Sequence, residues 1–137
     1  MNDQTTNVIT LNRRSLMRVL VVEDESIARD AVRQYLEFRG HDVAVAGSAR
    51  EAIDLASRCE PDVLLCDWKL NDTIDGVEVA QTLQKRFDLA VILITAHQLD
   101  DLKAKASRAG VNVNAYRRKP VSLASLAEVI ESLEIQH

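Results

Sequence analysis

Cysteine is scarce in this chain, with two residues, Cys59 and Cys66, among 137. A pair at a helix end and in an apolar run makes no disulfide framework. Both read as buried, reduced thiols of a cytosolic protein, where free cysteine packs as a small hydrophobe. Long apolar runs are also missing. The longest, Ala90 to Ala96, falls far short of the roughly 20 residues that span a bilayer. The start, MNDQTTNVITLNRRSL, has no apolar h-region or cleavage site, so no signal peptide is read. Basic charge is not in excess: 17 basic against 21 acidic side chains give a net charge of -4. That balance argues against direct nucleic-acid binding over a broad face, which needs cations to neutralise phosphates. The chain also lacks internal repeats, low-complexity tracts and a glycine-rich loop behind its first apolar run. What remains, 47% apolar and 28% charged residues, is the composition of one soluble globular domain. A domain of this length buries about two-thirds of its unfolded surface and needs no metal or disulfide for its core.

Residues 1–16 are polar and read as a flexible N-terminal extension, with the folded domain at 17–137. Behind the extension, short β-branched runs alternate with amphipathic segments. The runs Val19–Val22, Val43–Ala46, Val63–Cys66, Val91–Thr95 and Val113–Tyr116 predict strands. The first, third and fourth have no polar alternation, as expected of strands covered on both faces of a parallel sheet. Ile27, Ala31, Val32, Tyr35 and Leu36 form the stripe of a first helix that Gly40 ends. Ser48 followed by Glu51 predicts a capping box for the second. Val77, Ala80, Leu83 and Phe87 mark the third helix. Leu99, Leu102 and Ala106, closed by Gly110, mark the fourth. Ser122 caps the fifth, with Leu123, Leu126, Ile130 and Leu133 inward. Five strands alternating with five helices predict an α/β doubly wound parallel sheet.

Ligands of such sheets bind beyond the carboxyl ends of the strands. There the first strand offers Glu23, Asp24 and Glu25, the third Asp67, the fourth Thr95, and the fifth leads to Lys119 and Pro120. Carboxylates gathered from neighbouring strands repel and raise one another's pKa. A hard divalent cation relieves this. Mg²⁺ takes oxygen ligands and keeps several waters, so two carboxylates suffice. A carboxylate oxygen left over can act as a nucleophile. With a lysine and a hydroxyl to bind the other oxygens, the set suits phosphoryl transfer, which is mostly positioning and charge stabilisation.

The stretches VLVVEDE, VLLCDWKL, VILITA and AYRRKP, in this order and spacing, resemble the receiver domains of response regulators in two-component signalling, the chemotaxis-regulator type included. The resemblance covers about residues 17–135. It implies a flavodoxin-like (βα)5 fold with strand order 2-1-3-4-5. It implies that Asp67 is the phosphoacceptor, and that Asp24 binds Mg²⁺ (or Mn²⁺) directly and Glu23 through water. The backbone carbonyl of Lys69 completes the metal ligands. Thr95 and Lys119 contact the phosphoryl oxygens, with a cis peptide after the lysine, and Tyr116 is the aromatic switch partner of Thr95. The phosphoryl donor is a histidine kinase or histidine phosphotransfer protein. Docking uses the first helix, Ile27 included, and the loops around the site. Output passes through the surface of the fourth helix, fifth strand and fifth helix to an unknown downstream protein. The chain is then a cytoplasmic signalling switch rather than an enzyme, without membrane or direct nucleic-acid contact. It is a monomer or a phosphorylation-dependent dimer.

Each residue also has a plainer reading. Glu23 to Glu25 can be a solvated charge run, Asp67 a cap, Thr95 a strand-end hydroxyl, Lys119 a loop opener and Tyr116 packing. Their joint placement at strand ends favours chemistry. Trp68 is expected at the pocket rim, partly exposed. Lys69 and His97 are placed to flank the phosphoryl group and limit water access, or to pair with a nearby carboxylate, either of which would set its lifetime. An aspartate-nucleophile phosphatase needs an acid two residues after the nucleophile, where Lys69 stands. A flavin or nucleotide module needs a phosphate cradle where the sequence has EDES. A pseudo-receiver scaffold keeps the fold without the chemistry, and the chain can equally be the receiver part of a larger response regulator or hybrid kinase. Three departures from the family pattern stand out. The loop WKLNDTIDG lacks the common proline and is one residue longer. The segment VNVNA is about two residues longer. Arg117 and Arg118 replace apolar residues on the fifth strand, where an edge can use charge against aggregation.

Overall fold

The computed structural model describes residues 16–133. The N-terminal extension expected at 1–16 therefore lies almost wholly outside the described residues. Five parallel strands, β1 (Arg18–Val22), β2 (Asp42–Ala46), β3 (Val63–Asp67), β4 (Ala90–Thr95) and β5 (Ala115–Arg118), form one sheet in the order β2-β1-β3-β4-β5. The helices α1 (Ser26–Phe38), α2 (Ala49–Cys59), α3 (Gly76–Gln84), α4 (Leu99–Arg108) and α5 (Leu123–Glu131) alternate with them. The doubly wound architecture and its strand order are as expected.

Alternation along the strands divides the core into two layers. Leu20, Val22, Leu64, Cys66, Val91 and Leu93 face α2, α3 and α4. Val19, Val21, Val63, Leu65, Ile92 and Ile94 face α1 and α5 through Leu36, Leu126 and Ile130. Central strands buried on both faces explain the unbroken apolar runs of β1, β3 and β4.

Helix starts follow from local chemistry. Ser48 Oγ accepts the Glu51 N–H at 3.1 Å, as expected, but the Glu51 carboxylate turns to the Gly47 N–H rather than closing a box on Ser48. The reciprocal box belongs to α3 instead, between Asp75 and Glu78. Ser122 caps α5 by accepting the Ser125 N–H. Gly40 (φ 97°) and Gly110 (φ 72°) close α1 and α4 in the left-handed region that glycine enters without strain. Glu60 (φ 44°) does the same for α2 with a side chain that disfavours it.

Ile27, in the first turn of α1, is 80% exposed. Two boundaries differ from the sequence reading. Phe87 packs on the core from past the end of α3. The fifth strand runs Ala115–Arg118 rather than Val113–Tyr116. Asn114 explains the shift. Its N–H donates to the Val91 carbonyl at 2.8 Å, while its side-chain Oδ1 accepts the Val91 N–H at 2.9 Å. One residue thus replaces a ladder step, and regular pairing starts after it. Behind it, Gln81 donates to the Ala109 carbonyl and Gln84 exchanges two hydrogen bonds with the Asn112 backbone.

At the amino end of the sheet a buried cluster joins three elements. His41 Nδ1 accepts the Met17 N–H, so its proton sits on Nε2, 2.8 Å from Glu131 Oε2. Arg39 also reaches Glu131. The start of β1, the start of β2 and the end of α5 are tied there, far from the carboxyl edge.

Candidate functional site

β1 and β3 are neighbours in register, with Val22 opposite Cys66, so Glu23 and Asp24 emerge beside Asp67. One carboxylate oxygen from each of Glu23, Asp24 and Asp67 lies within 4.8 Å of the others. Lys119 enters from the end of β5, where its N–H donates to the Thr95 carbonyl at 2.8 Å. Its ammonium sits 3.1 Å from Glu23 Oε1 and 3.3 Å from Asp67 Oδ2. The Lys119–Pro120 peptide is cis, as the family pattern leads one to expect.

Electrostatics set the carboxylates apart. The Asp67 side chain is only 12% exposed. Burial raises its pKa from the usual 3.8 to about 6, the Lys119 ammonium opposing and Glu23 and then Asp24 adding to the rise. Burial lowers the Lys119 pKa, but Asp67 and Glu23 together outweigh it and hold the ammonium above its ordinary value. Both Glu23 oxygens already have donors, Lys119 on one and the Glu25 N–H on the other. Asp24 Oδ2 accepts the Asn71 N–H at 2.8 Å. Among the described residues, no protein donor reaches the second oxygen of Asp24 or of Asp67, nor the Lys69 carbonyl. Those open oxygens, all hard donors, fit a divalent ion of the Mg²⁺ type.

Backbone packing brings α3 against β3. A Cβ on Gly76 would stand 2.2 Å from the Asp67 carbonyl oxygen, so only glycine admits this approach. Cys66 lies beneath, and burial pushes its thiol well above the usual range, which keeps it unreactive.

The structure places the other expected residues as follows. Thr95 is fully buried, and its hydroxyl accepts the His97 N–H at 2.9 Å. Tyr116 pairs in register with Leu93, two residues before Thr95, on the sheet face that α4 covers. It is half-buried, with the Lys103 ammonium 5.6 Å over its ring. Trp68 departs from expectation. It is 6% exposed rather than at an open rim, because its indole N–H donates to Asp75 Oδ2 at 3.2 Å and draws the ring inward. The Lys69 ammonium lies 4.1 Å over that ring, and the His97 ring meets it edge-on at 6.0 Å. Asp75 and Lys105, which join at 2.8 Å, carry no strand-end signal in the sequence. The Asp75-Gly76 pair three residues ahead of Glu78 was the available clue.

The Response regulator receiver domain family matches residues 19–131. The chain belongs to that family. The receiver is 30% identical over 118 residues to Response regulator MprA of Mycobacterium leprae, covering 85% of this chain and 50% of that protein. It is 33% identical over 115 residues to the transcriptional regulatory protein PdtaR of Mycobacterium tuberculosis, covering 83% and 55%. It thus spans about half the length of these curated relatives. Among solved structures it is similar to the signal receiver domain of a modulated diguanylate cyclase from Desulfovibrio desulfuricans G20, with 36% identity and a TM-score of 0.75 over 85% of this chain and 92% of that one. Receivers of this family are switches of two-component signalling. Among the described residues, no helix is long and apolar enough to cross a membrane.

Proposed function

We propose that this receiver accepts a phosphoryl group on Asp67 from the phosphohistidine of a histidine kinase or phosphotransfer protein. The observation that carries this reading is the convergence of Glu23, Asp24 and Asp67 within 4.8 Å, with Lys119 bridging two of them. At pH 7 to 8 a group that titrates near 6 is mostly carboxylate, so Asp67 is present as a nucleophile. Its oxygen forms the new P–O bond as the P–N bond breaks, and the imidazole leaves with that electron pair and takes up a proton. Asp24, Asp67 and the Lys69 carbonyl are the groups with open oxygens to hold Mg²⁺ or Mn²⁺, Glu23 acting through water. When bound, the ion neutralises charge on the transferring phosphoryl group. Lys119 offers its ammonium to the same oxygens.

The donor docks along the apolar groove between α1 and α5, lined by Ala28, Val32, Ile94, Pro120, Val121 and Leu126, which opens beside Glu23 and Lys119. The exposed Ile27 extends that surface. Thr95 turns to donate its hydroxyl proton to a phosphoryl oxygen, and Tyr116, on the same sheet face, takes up the space released. Lys69 and His97, held on Trp68, restrict water and set the lifetime of the phosphorylated state. The altered α4, β5 and α5 surface then meets a downstream protein.

The test is mass spectrometry after acetyl phosphate treatment with and without Mg²⁺. One phosphoryl group is expected on the peptide holding Asp67, dependent on Mg²⁺ and absent from Asp67→Asn. Equal labelling of the variant would refute the assignment.

A further inference from the structure

We propose that Lys105 is a positioning residue of the acceptor site, which holds Trp68 through Asp75 and so couples the place of α4 to the occupancy of Asp67. This rests on Asp67 being the acceptor.

The argument starts from Asp75. An N-cap needs one oxygen, as the single hydroxyls of Ser48 and Ser122 illustrate. In Asp75 that duty falls to Oδ1, which accepts the Glu78 N–H at 3.0 Å. The second oxygen is not needed for capping, yet two donors converge on it: the Trp68 indole at 3.2 Å and the Lys105 ammonium at 2.8 Å. The carboxylate therefore links the residue next to the acceptor, the start of α3, and the middle of α4. Its side chain is 14% exposed, so water competes weakly for these bonds.

The two ends of this link differ in firmness. Trp68 is fixed by its backbone, which donates to the Ile94 carbonyl and accepts from the Gly76 N–H, both at 2.7 Å. α4 is held loosely. It buries only Leu102 and Ala106, its N-cap residue Gln98 makes no side-chain cap, and the Gln81 bond grips only its far end at Ala109. Among the described residues, Lys105 to Asp75 is the ion pair that ties α4 to the rest of the fold.

A phosphoryl group would act on this link from the other side. As Thr95 turns to donate its hydroxyl proton to that group, its oxygen shifts the His97 N–H that it accepts. His97 touches the Trp68 ring and lies two residues before α4. The occupied site thus draws on the loop that leads into α4 while Lys105 holds that helix to Asp75. Coupling of this kind is reciprocal. Removing the lysine frees α4 and loosens the Trp68 indole on Asp75, though not its main chain, and lowers the cost of occupancy.

The experiment uses the full chain with Lys105→Met, which keeps a stem of similar length without charge, and Lys105→Arg. Without metal, emission from Trp68, the single tryptophan, is recorded. With Mg²⁺, beryllofluoride binding is titrated by fluorine NMR. Lys105→Met should shift the emission to the red and bind beryllofluoride roughly two- to fivefold more tightly, the ratio available from one partly exposed ion pair. Lys105→Arg should restore both. A merely structural lysine would lower stability without moving either signal. Unchanged emission overturns the positioning role whether or not beryllofluoride binds. Changed emission with unchanged affinity overturns the coupling. Failure of the unaltered chain to bind beryllofluoride overturns the acceptor reading and the coupling with it, and leaves the metal-free emission to decide whether Lys105 holds Trp68.

Discussion

Replacing Asp67 with asparagine should make the metal-free receiver more stable at neutral pH. The carboxyl is buried against Glu23 and Asp24, and its pKa in the fold is about 6 against 3.8 for the free side chain. A folded value above the unfolded one means that the folded chain prefers the protonated form. That contribution is complete below pH 3.8 and is lost as the pH rises through about 6. At about 1.4 kcal/mol per pH unit, the loss approaches 3 kcal/mol as an upper bound. Asparagine has no such titration, but it forfeits the contact to Lys119, so a net gain of about 1 to 3 kcal/mol is expected. For a domain of this size that is roughly 4 to 12 °C in Tm. The assay is urea or thermal unfolding of both proteins from pH 3.5 to 8 in a chelating buffer. The curves should converge near pH 3.5 and separate fully above pH 6.5, and Mg²⁺ should narrow the gap by stabilising only the unaltered chain. A variant less stable at pH 7.5, or a gap of equal size at every pH, would refute the electrostatic account.

Other outcomes follow from the packing. Gly76→Ala places a methyl group 2.2 Å from the Asp67 carbonyl oxygen and should cost about 3 kcal/mol or more, measured by chemical unfolding. Glu60→Gly relieves a left-handed residue at φ 44° and should stabilise by about 0.5 to 1 kcal/mol, visible as a higher Tm. Glu131→Ala strands the buried His41 Nε2 and removes the Arg39 contact. About 2 to 4 kcal/mol should be lost in urea unfolding.

Much of the site was legible because strand ends in a parallel sheet are fixed by the apolar runs that precede them. VLLC ends at Asp67 and VLVV at Glu23 for the same reason, and the sheet order then sets them side by side. Periodicity says less about loops. Trp68 looked exposed because its inward pull comes from Asp75, a partner seven residues away whose position depends on the fold of a loop. The fifth strand was misplaced since Asn114 acts as a backbone surrogate, a role that side-chain patterns do not encode. Lys105 was silent for a further reason: an isolated lysine on a polar helix gives no hint of which carboxylate it meets.

Asn114 grips Val91 with both its main chain and its amide oxygen, which sets the start of β5 independently of whatever leads up to it. Insertions or deletions at 111–113 are thereby insulated from Lys119, which lies five residues after Asn114. The flank of the molecule beside α4 can be remodelled, by drift or by design, while the ammonium keeps its appointment with the acidic cluster.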